Sequence, residues 1–342
     1  MKTGTILLAG VALALILALT IGALGFLFMM RPAALPETGL LYTVREGAGA
    51  SAVARDLEEK GALRSALAFT LFARIQGSAS SIKSGTYQIE RGMGARAILA
   101  LLVSGRQSLL KVTIPEGYTL KQTAALLETQ GIVNAKDFLN AARDPVLIAS
   151  LGAEGPSLEG YLFPDTYFLP RSFPAPELLT MMVSSFRKKL GEAIPESRSL
   201  SPRDLQQKLI LASIVEREYR VPAEAPYMAS VFYNRLAIGM ALQSCATVVY
   251  VLTEKLGKPH PDVVYDRDLK IADPYNTYWR RGLPPGPICS PGLTALNAAF
   301  RPAASRYLYF RLVDADAGVH HFSASLEEHN QAASFIVKRI GG

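Results

Sequence analysis

The sequence predicts an α+β protein with an N-terminal transmembrane helix, a small α/β module and a larger α+β domain carrying an acid near the end of a helix. Three observations predict it: an uncharged apolar run from Gly4 to Met30, an internal repeat at an offset of 70 residues, and the stretch LILASIVEREY from Leu209 to Tyr219. The chain has 342 residues, 49% of them hydrophobic and 19% charged, enough for more than one buried core and too apolar for disorder. The net charge of +7 is spread along the chain instead of gathered into a basic block with interleaved aromatics, so nucleic acid is not implied.

Residues 1–4 form a short N-terminus, and residues 5–30 are long enough to cross a bilayer. No small-x-small cleavage site closes the run, which reads as an uncleaved signal anchor. Nearly all remaining mass follows it, so export of the large part is the expected topology. Residues 31–40, with Pro32 and Pro36, are a linker.

The repeat comes next. Val44 to Gly47 matches Ile114 to Gly117, Leu57-Glu58 matches Leu127-Glu128, and Gly61 matches Gly131. Each copy reads as a strand, a Gly turn, an amphipathic helix stopped by Gly, and a further helix containing Phe69 or Phe138. Residues 41–112 form the first module, in which Gly85–Ile89 alternates as a strand and Ala95–Val103 reads as a helix. Residues 113–196 hold the second copy and its connecting helices, one of them from about Pro176 to Leu190. Within SLEGYLFPDTYFL, Glu159 and Asp165 form a pair of acids, and Asp165 also suits a turn cap.

Residues 197–342 make the last domain. Ser201 serves as N-cap, Pro202 as the first helical residue and Asp204 as the acid of a capping box. The helix ends in Glu216, Arg217 and Glu218. The face below Glu218 carries Leu211, Ile214 and Val215, and that below Glu216 carries Leu209, Ala212 and Ser213. An acid held against such a face has a raised pKa and can act as a general acid; the alternative is the solvated last turn of an ordinary helix. A second helix, Ala225–Leu236, contains Asn234. Beyond it, loops rich in amides, hydroxyls and tyrosines follow at 242–250, 274–278 and 282–288, which is the chemistry that carbohydrate recognition needs. His320, His321 and His329 lack metal-binding spacing. Cys245 and Cys289 allow one pairing or two separate thiols.

The ordered motifs LASIVEREY, VFYNRL, LQSCATVVY, PYNTY, GLPPGPI and EHN, with YTVREG, SGTY and EGYLFPDTY before them, resemble the YceG-like family of endolytic murein transglycosylases. The resemblance implies an inner-membrane protein facing the periplasm, a LysM-like module in the first α/β unit, and a domain that cuts nascent peptidoglycan within its strands. Such cutting terminates glycan elongation. Cell-wall synthases are the implied partners, and no metal or organic cofactor is called for. The family's catalytic glutamate matches Glu218, with Glu216 as the alternative acid or a support for Arg217 and nearby backbone. Asn234, Gln243, Thr247, Tyr275, Asn276, Thr277 and Tyr278 are the expected sugar-holding or supporting residues. Where the family often has Asp, this chain has Cys245. A muramidase using the same acid, and a non-catalytic peptidoglycan-binding scaffold, are the competing functions.

Overall fold

The computed structural model describes residues 2–106 and 109–332, with side chains from Leu13 onward except that of Ala14. The chain divides into two compact units, Met1–Leu110 with Phe168–Arg171, and Lys111–Tyr167 with Ser172–Gly342.

The first unit begins with α1 (Lys2–Met29), on which the large apolar side chains of Leu13, Leu15, Ile16, Leu19, Leu24 and Phe28 among others are exposed, while Phe26 is half-buried. The expected membrane span, residues 5–30, lies partly outside the described side chains. Among the described residues no helix is long and apolar enough to cross a membrane. After the linker come β1 (Leu40–Val44), α2 (Ala50–Glu59), α3 (Ala66–Ile75), β2 (Gly85–Ile89) and α4 (Ala95–Ser104). The two strands are antiparallel, with Tyr42 opposite Tyr87. Helix α2 buries Ala50, Val53, Ala54 and Leu57, one face at helical spacing, and each larger side chain so buried contributes about 1.5–3 kcal/mol. Helix α3 starts because Ser65 Oγ accepts from Ala68 N–H at 3.2 Å. Phe69, Tyr87, Ile98 and Leu102 fill the core between the strands and the helices. Gly105, at φ 72°, ends α4 in the left-handed region that a side chain disfavours.

The repeat is structural as well as sequential. Strand β3 (Leu110–Thr113), α5 (Leu120–Thr129) and α6 (Ala135–Ala141) stand seventy residues after β1, α2 and α3. A short helix, α7 (Pro145–Ser150), leads to β4 (Thr166–Leu169), which pairs with β3. Asp165 is a turn acid: its carboxylate accepts from Thr166 N–H at 2.8 Å and pairs with Lys189 at 2.6 Å.

Helix α8 (Ala175–Ala193) presents Leu178, Met182, Phe186 and Leu190 to the interior, where the Phe186 ring meets Tyr161 edge-on. Then comes α9 (Pro202–Glu218). Its start matches the sequence in part: Ser201 Oγ accepts from Asp204 N–H, but the Asp204 carboxylate takes the Ser201 hydroxyl at 2.6 Å, where a capping box would bring the Ser201 backbone N–H. Every residue from Leu209 to Val215 is buried, so this helix is enclosed on all sides. It packs against α10 (Ala225–Ala237) and, after α11 (Cys245–Tyr250) and α12 (Asp266–Leu269), against α13 (Leu293–Phe300). A π-helical turn, Val251–Lys255, continues α11. The antiparallel hairpin of β5 (Tyr309–Asp314) and β6 (Val319–Ser323) packs aromatic Phe310 and Phe322 beside α10, and α14 (Leu326–Gln331) is the last described helix.

Candidate active site

Glu218 is the final residue of α9. Tyr219 leaves the helix in extended conformation, and its N–H still bonds Val215 O at 3.1 Å, so the chain turns away at the point where the Glu218 side chain emerges. That carboxyl is enclosed by protein yet remains partly exposed. Burial disfavours its charge and raises its pKa. The negative end of the helix dipole acts in the same direction. Opposing this, Ser244 Oγ donates to Glu218 Oε1 at 2.5 Å, the backbone N–H of Ala246 favours the charged form, and the positive charges of Arg235 and Arg217 lie nearby. Burial outweighs them, and the net shift is upward. The result is an acid that holds its proton more tightly than a free glutamate and is oriented by the Ser244 hydroxyl.

Ser244 occupies the N-cap position of α11, where a serine hydroxyl normally caps the helix; here no such cap forms and the hydroxyl turns to Glu218. Two contacts hold this segment. Gln243 N–H donates to Thr277 O at 3.2 Å, and Ser244 N–H donates to Thr277 Oγ1 at 3.0 Å. Gln243 adopts φ 50°, an uncommon conformation for a side-chain-bearing residue, and the loop bonds on its C-terminal side hold it there. Thr247 and Thr277 exchange hydroxyls at 2.9 Å, both fully buried. Arg235, buried in α10, donates to Leu308 O and Leu242 O at 2.6 Å each, which places a guanidinium behind the acid without pairing it to a carboxylate.

Glu216 points elsewhere. Its Oε2 accepts from Gly292 N–H at 3.0 Å, ahead of α13. Burial pushes its pKa up to about 7, and the neighbouring Glu116 carboxylate adds to the rise. Arg217 donates to Gly117 O at 3.3 Å. A third acid, Glu159, is buried with both oxygens within 3.1 Å of Leu120 N–H at the start of α5, and burial pushes it up to about 8.

The remaining expected residues separate into two groups. Gln243 is exposed and Tyr278 half-buried, the latter's hydroxyl 3.2 Å from Cys245 Sγ, so both are near the acid and reachable. Asn234, Asn276, Thr247 and Thr277 are instead scaffold. Asn234 Nδ2 donates to Ser305 O and Tyr307 O. Asn276, fully buried, donates to Leu269 O and Ile271 O and accepts from Tyr278 N–H. Their amides close loops and have little left for a sugar. Tyr275 is buried with its ring against Tyr250. Ser244 and Arg235 were not among the expected site residues; Ser244 sits inside the LQSCATVVY motif, which was the available signal. Cys245 is exposed, Cys289 is buried, and both are free thiols. Among the described residues no group of His, Cys, Asp or Glu could hold a metal ion.

The endolytic murein transglycosylase of Bacillus subtilis (strain 168) is 32% identical over 315 residues, covering 86% of this chain and 84% of that protein. The protein of the same name from Streptococcus pneumoniae serotype 2 (strain D39 / NCTC 7466) is 31% identical over 319 residues, covering 84% of this chain and 56% of that protein. Among solved structures, a YceG-like protein from Listeria monocytogenes superposes with a TM-score of 0.56 at 31% identity, over 86% of this chain and 99% of that one. The model of the YceG-like family matches residues 42–334, and this chain belongs to that family.

Proposed function

We propose that the protein is an endolytic lytic transglycosylase that cleaves the bond between MurNAc and GlcNAc within nascent peptidoglycan strands, with Glu218 as its single acid and base. The observation that carries the chemistry is the setting of Glu218: a carboxyl with a raised pKa, held by Ser244 and acted on, among the described residues, by arginines and by no second acid. A retaining or inverting hydrolase places two carboxyls across the bond, one of them to activate water or to attack. Glu216, the nearest acid in sequence, is turned to Gly292 N–H. One carboxyl suffices for the lyase route. Protonated Glu218 donates to the glycosidic oxygen; as carboxylate it then takes the proton of the MurNAc C6 hydroxyl, which attacks C1 of its own ring and leaves a 1,6-anhydro end. No water is consumed, and the proton taken restores the acid. Gln243, Tyr278 and Ser244 border the reacting groups, and Asn234, Thr247, Tyr275, Asn276 and Thr277 support them from behind.

The exposed apolar surface of α1 supports membrane anchoring through residues 5–30, with the rest of the chain on the periplasmic side and cell-wall synthases as neighbours. The order β1, α2, α3, β2 with an antiparallel strand pair supports a LysM-like reading of the first unit, which would hold glycan. The test of the activity is mass spectrometry of strand ends after incubating the full chain with uncrosslinked peptidoglycan. Anhydro-MurNAc ends from the wild type and none from Glu218→Gln are expected; reducing MurNAc ends would assign a muramidase, and unchanged strands a scaffold.

A further inference from the structure

A cavity of ≈ 290 Å³ lies in the second unit beside the candidate acid, near the lower end of the range for small-ligand sites, about 300–1,000 Å³. Its link to Glu218 runs through two neighbours: Ala246, two residues after the Ser244 whose hydroxyl bonds the Glu218 carboxyl, lines the cavity, and Arg217, the residue before Glu218, lines it as well. The rim carries Lys121, Arg217 and Lys258 with a single acid, Glu254, and His260 beside them. Among the described residues none of these three cations forms an ion pair; Lys121 Nζ meets only the Thr253 carbonyl, at 3.3 Å, and Arg217 the Gly117 carbonyl. Cations gathered in a concave, partly dry site repel one another until an anion enters. The walls between them, Ala125, Val249, Ile288 and the buried Tyr250, are apolar, with Thr119 and Thr253 as hydroxyl donors.

We propose that this cavity binds the acidic peptide branch of the MurNAc residue that is being cut, its carboxylates on Lys121, Lys258 and Arg217 and its alanine methyl groups against Val249 and Tyr250. The inference rests on the glycan-cleaving function proposed above. The connection is chemical. The peptide hangs from the lactyl ether on C3 of the sugar whose C1 reacts, so it must leave the cleavage point within one ring's width. A cavity lined by the residue before the acid, and by Ala246 two residues past the serine that holds the acid, is where such a branch would go. A bare glycan has no charge to set against a rim with three cations and one acid, whereas the branch carries several carboxylates. The cavity thus makes the enzyme prefer strands whose peptides are intact, and strands already stripped by an amidase become poor substrates.

The test separates binding from cutting. The full chain carrying Glu218→Gln is titrated with soluble uncrosslinked strands, either intact or stripped of peptide by an amidase. Intact strands are expected to bind about tenfold more tightly, and Lys121→Glu with Lys258→Glu to abolish that preference, whereas Lys121→Arg with Lys258→Arg keeps it. A melting curve matching the parent's establishes that the charge-reversed chain is folded; both lysines are exposed. Equal binding of the two strand types by the parent, or a preference that survives charge reversal, would overturn the proposal. If the active chain released no anhydro ends while the preference persisted, the lyase reading would fail and the peptide subsite would stand.

Discussion

Ser244 donates its hydroxyl to the Glu218 carboxyl at 2.5 Å, tying the C-terminal end of α9 to the first residue before α11. A hydroxyl that could cap its own helix serves the acid instead, so its removal is felt by the chemistry more than by the fold. Ser244→Ala removes a donor to the charged form, and the pKa of Glu218 rises further. The basic limb of the pH–rate profile should therefore move to higher pH, while kcat falls about 10–100-fold through lost orientation, the worth of a hydrogen bond to a charged group. A profile that stays in place would disconnect Ser244 from the acid.

The two other buried acids give the protein a pH-dependent stability. Glu216 has its folded pKa up to about 7 and Glu159 up to about 8, both above the unfolded value of a glutamate. Between the unfolded and folded values the native state binds more protons than the unfolded one, so stability falls as pH rises through that window, roughly pH 5 to 8. Glu159→Gln keeps an acceptor for Leu120 N–H and removes the charge, and it should recover on the order of 4 kcal/mol at pH 8 with little effect at pH 5. Denaturant titrations at the two pH values measure this, and an equal change at both would contradict it.

Gly160 follows Glu159 at φ 84°, and a β-carbon there would lie 2.6 Å from the Pro287 ring. Backbone strain and a clash with a rigid ring act together, so Gly160→Ala should cost about 2 kcal/mol or more in stability. Thermal unfolding would show it as a lower Tm; an unchanged Tm would mean that the 282–288 loop yields freely.

Cys245 is exposed beside Tyr278, and Cys289 is fully buried. A maleimide should modify the native chain once, at Cys245, and block cleavage by filling the approach to Glu218. Cys245→Ser should be labelled slowly or not at all and keep its activity in the reagent. Modification at Cys245 with full activity retained would put that thiol outside the path of the substrate.

Some of this is legible in sequence because its causes are local. The start of α9 follows from Ser201 and Pro202, and the seventy-residue repeat follows from Gly turns at fixed offsets, since caps and left-handed glycines act within a few residues. Glu218 is legible as an acid after a run of apolar residues, although only the packing of α10 and α13 on α9 makes that run enclosed. The roles of Asn234 and Asn276 are not legible. An amide reads alike whether it faces a sugar or closes a loop, and what decides is which carbonyls the fold brings within its reach: those of Ser305 and Tyr307, Leu269 and Ile271. Ser244 was hidden for a related reason, because its acceptor is 26 residues away.

The central claim is that Glu218 alone moves the proton and that no water enters the broken bond. Cleavage of uncrosslinked strands by the full chain in water enriched with oxygen-18, followed by mass spectrometry of the new ends, tests it most directly. The account predicts 1,6-anhydro-MurNAc ends without the heavy isotope from the wild type and no new ends from Glu218→Gln. Reducing ends that carry oxygen-18 at C1 would contradict it and make the enzyme a hydrolase.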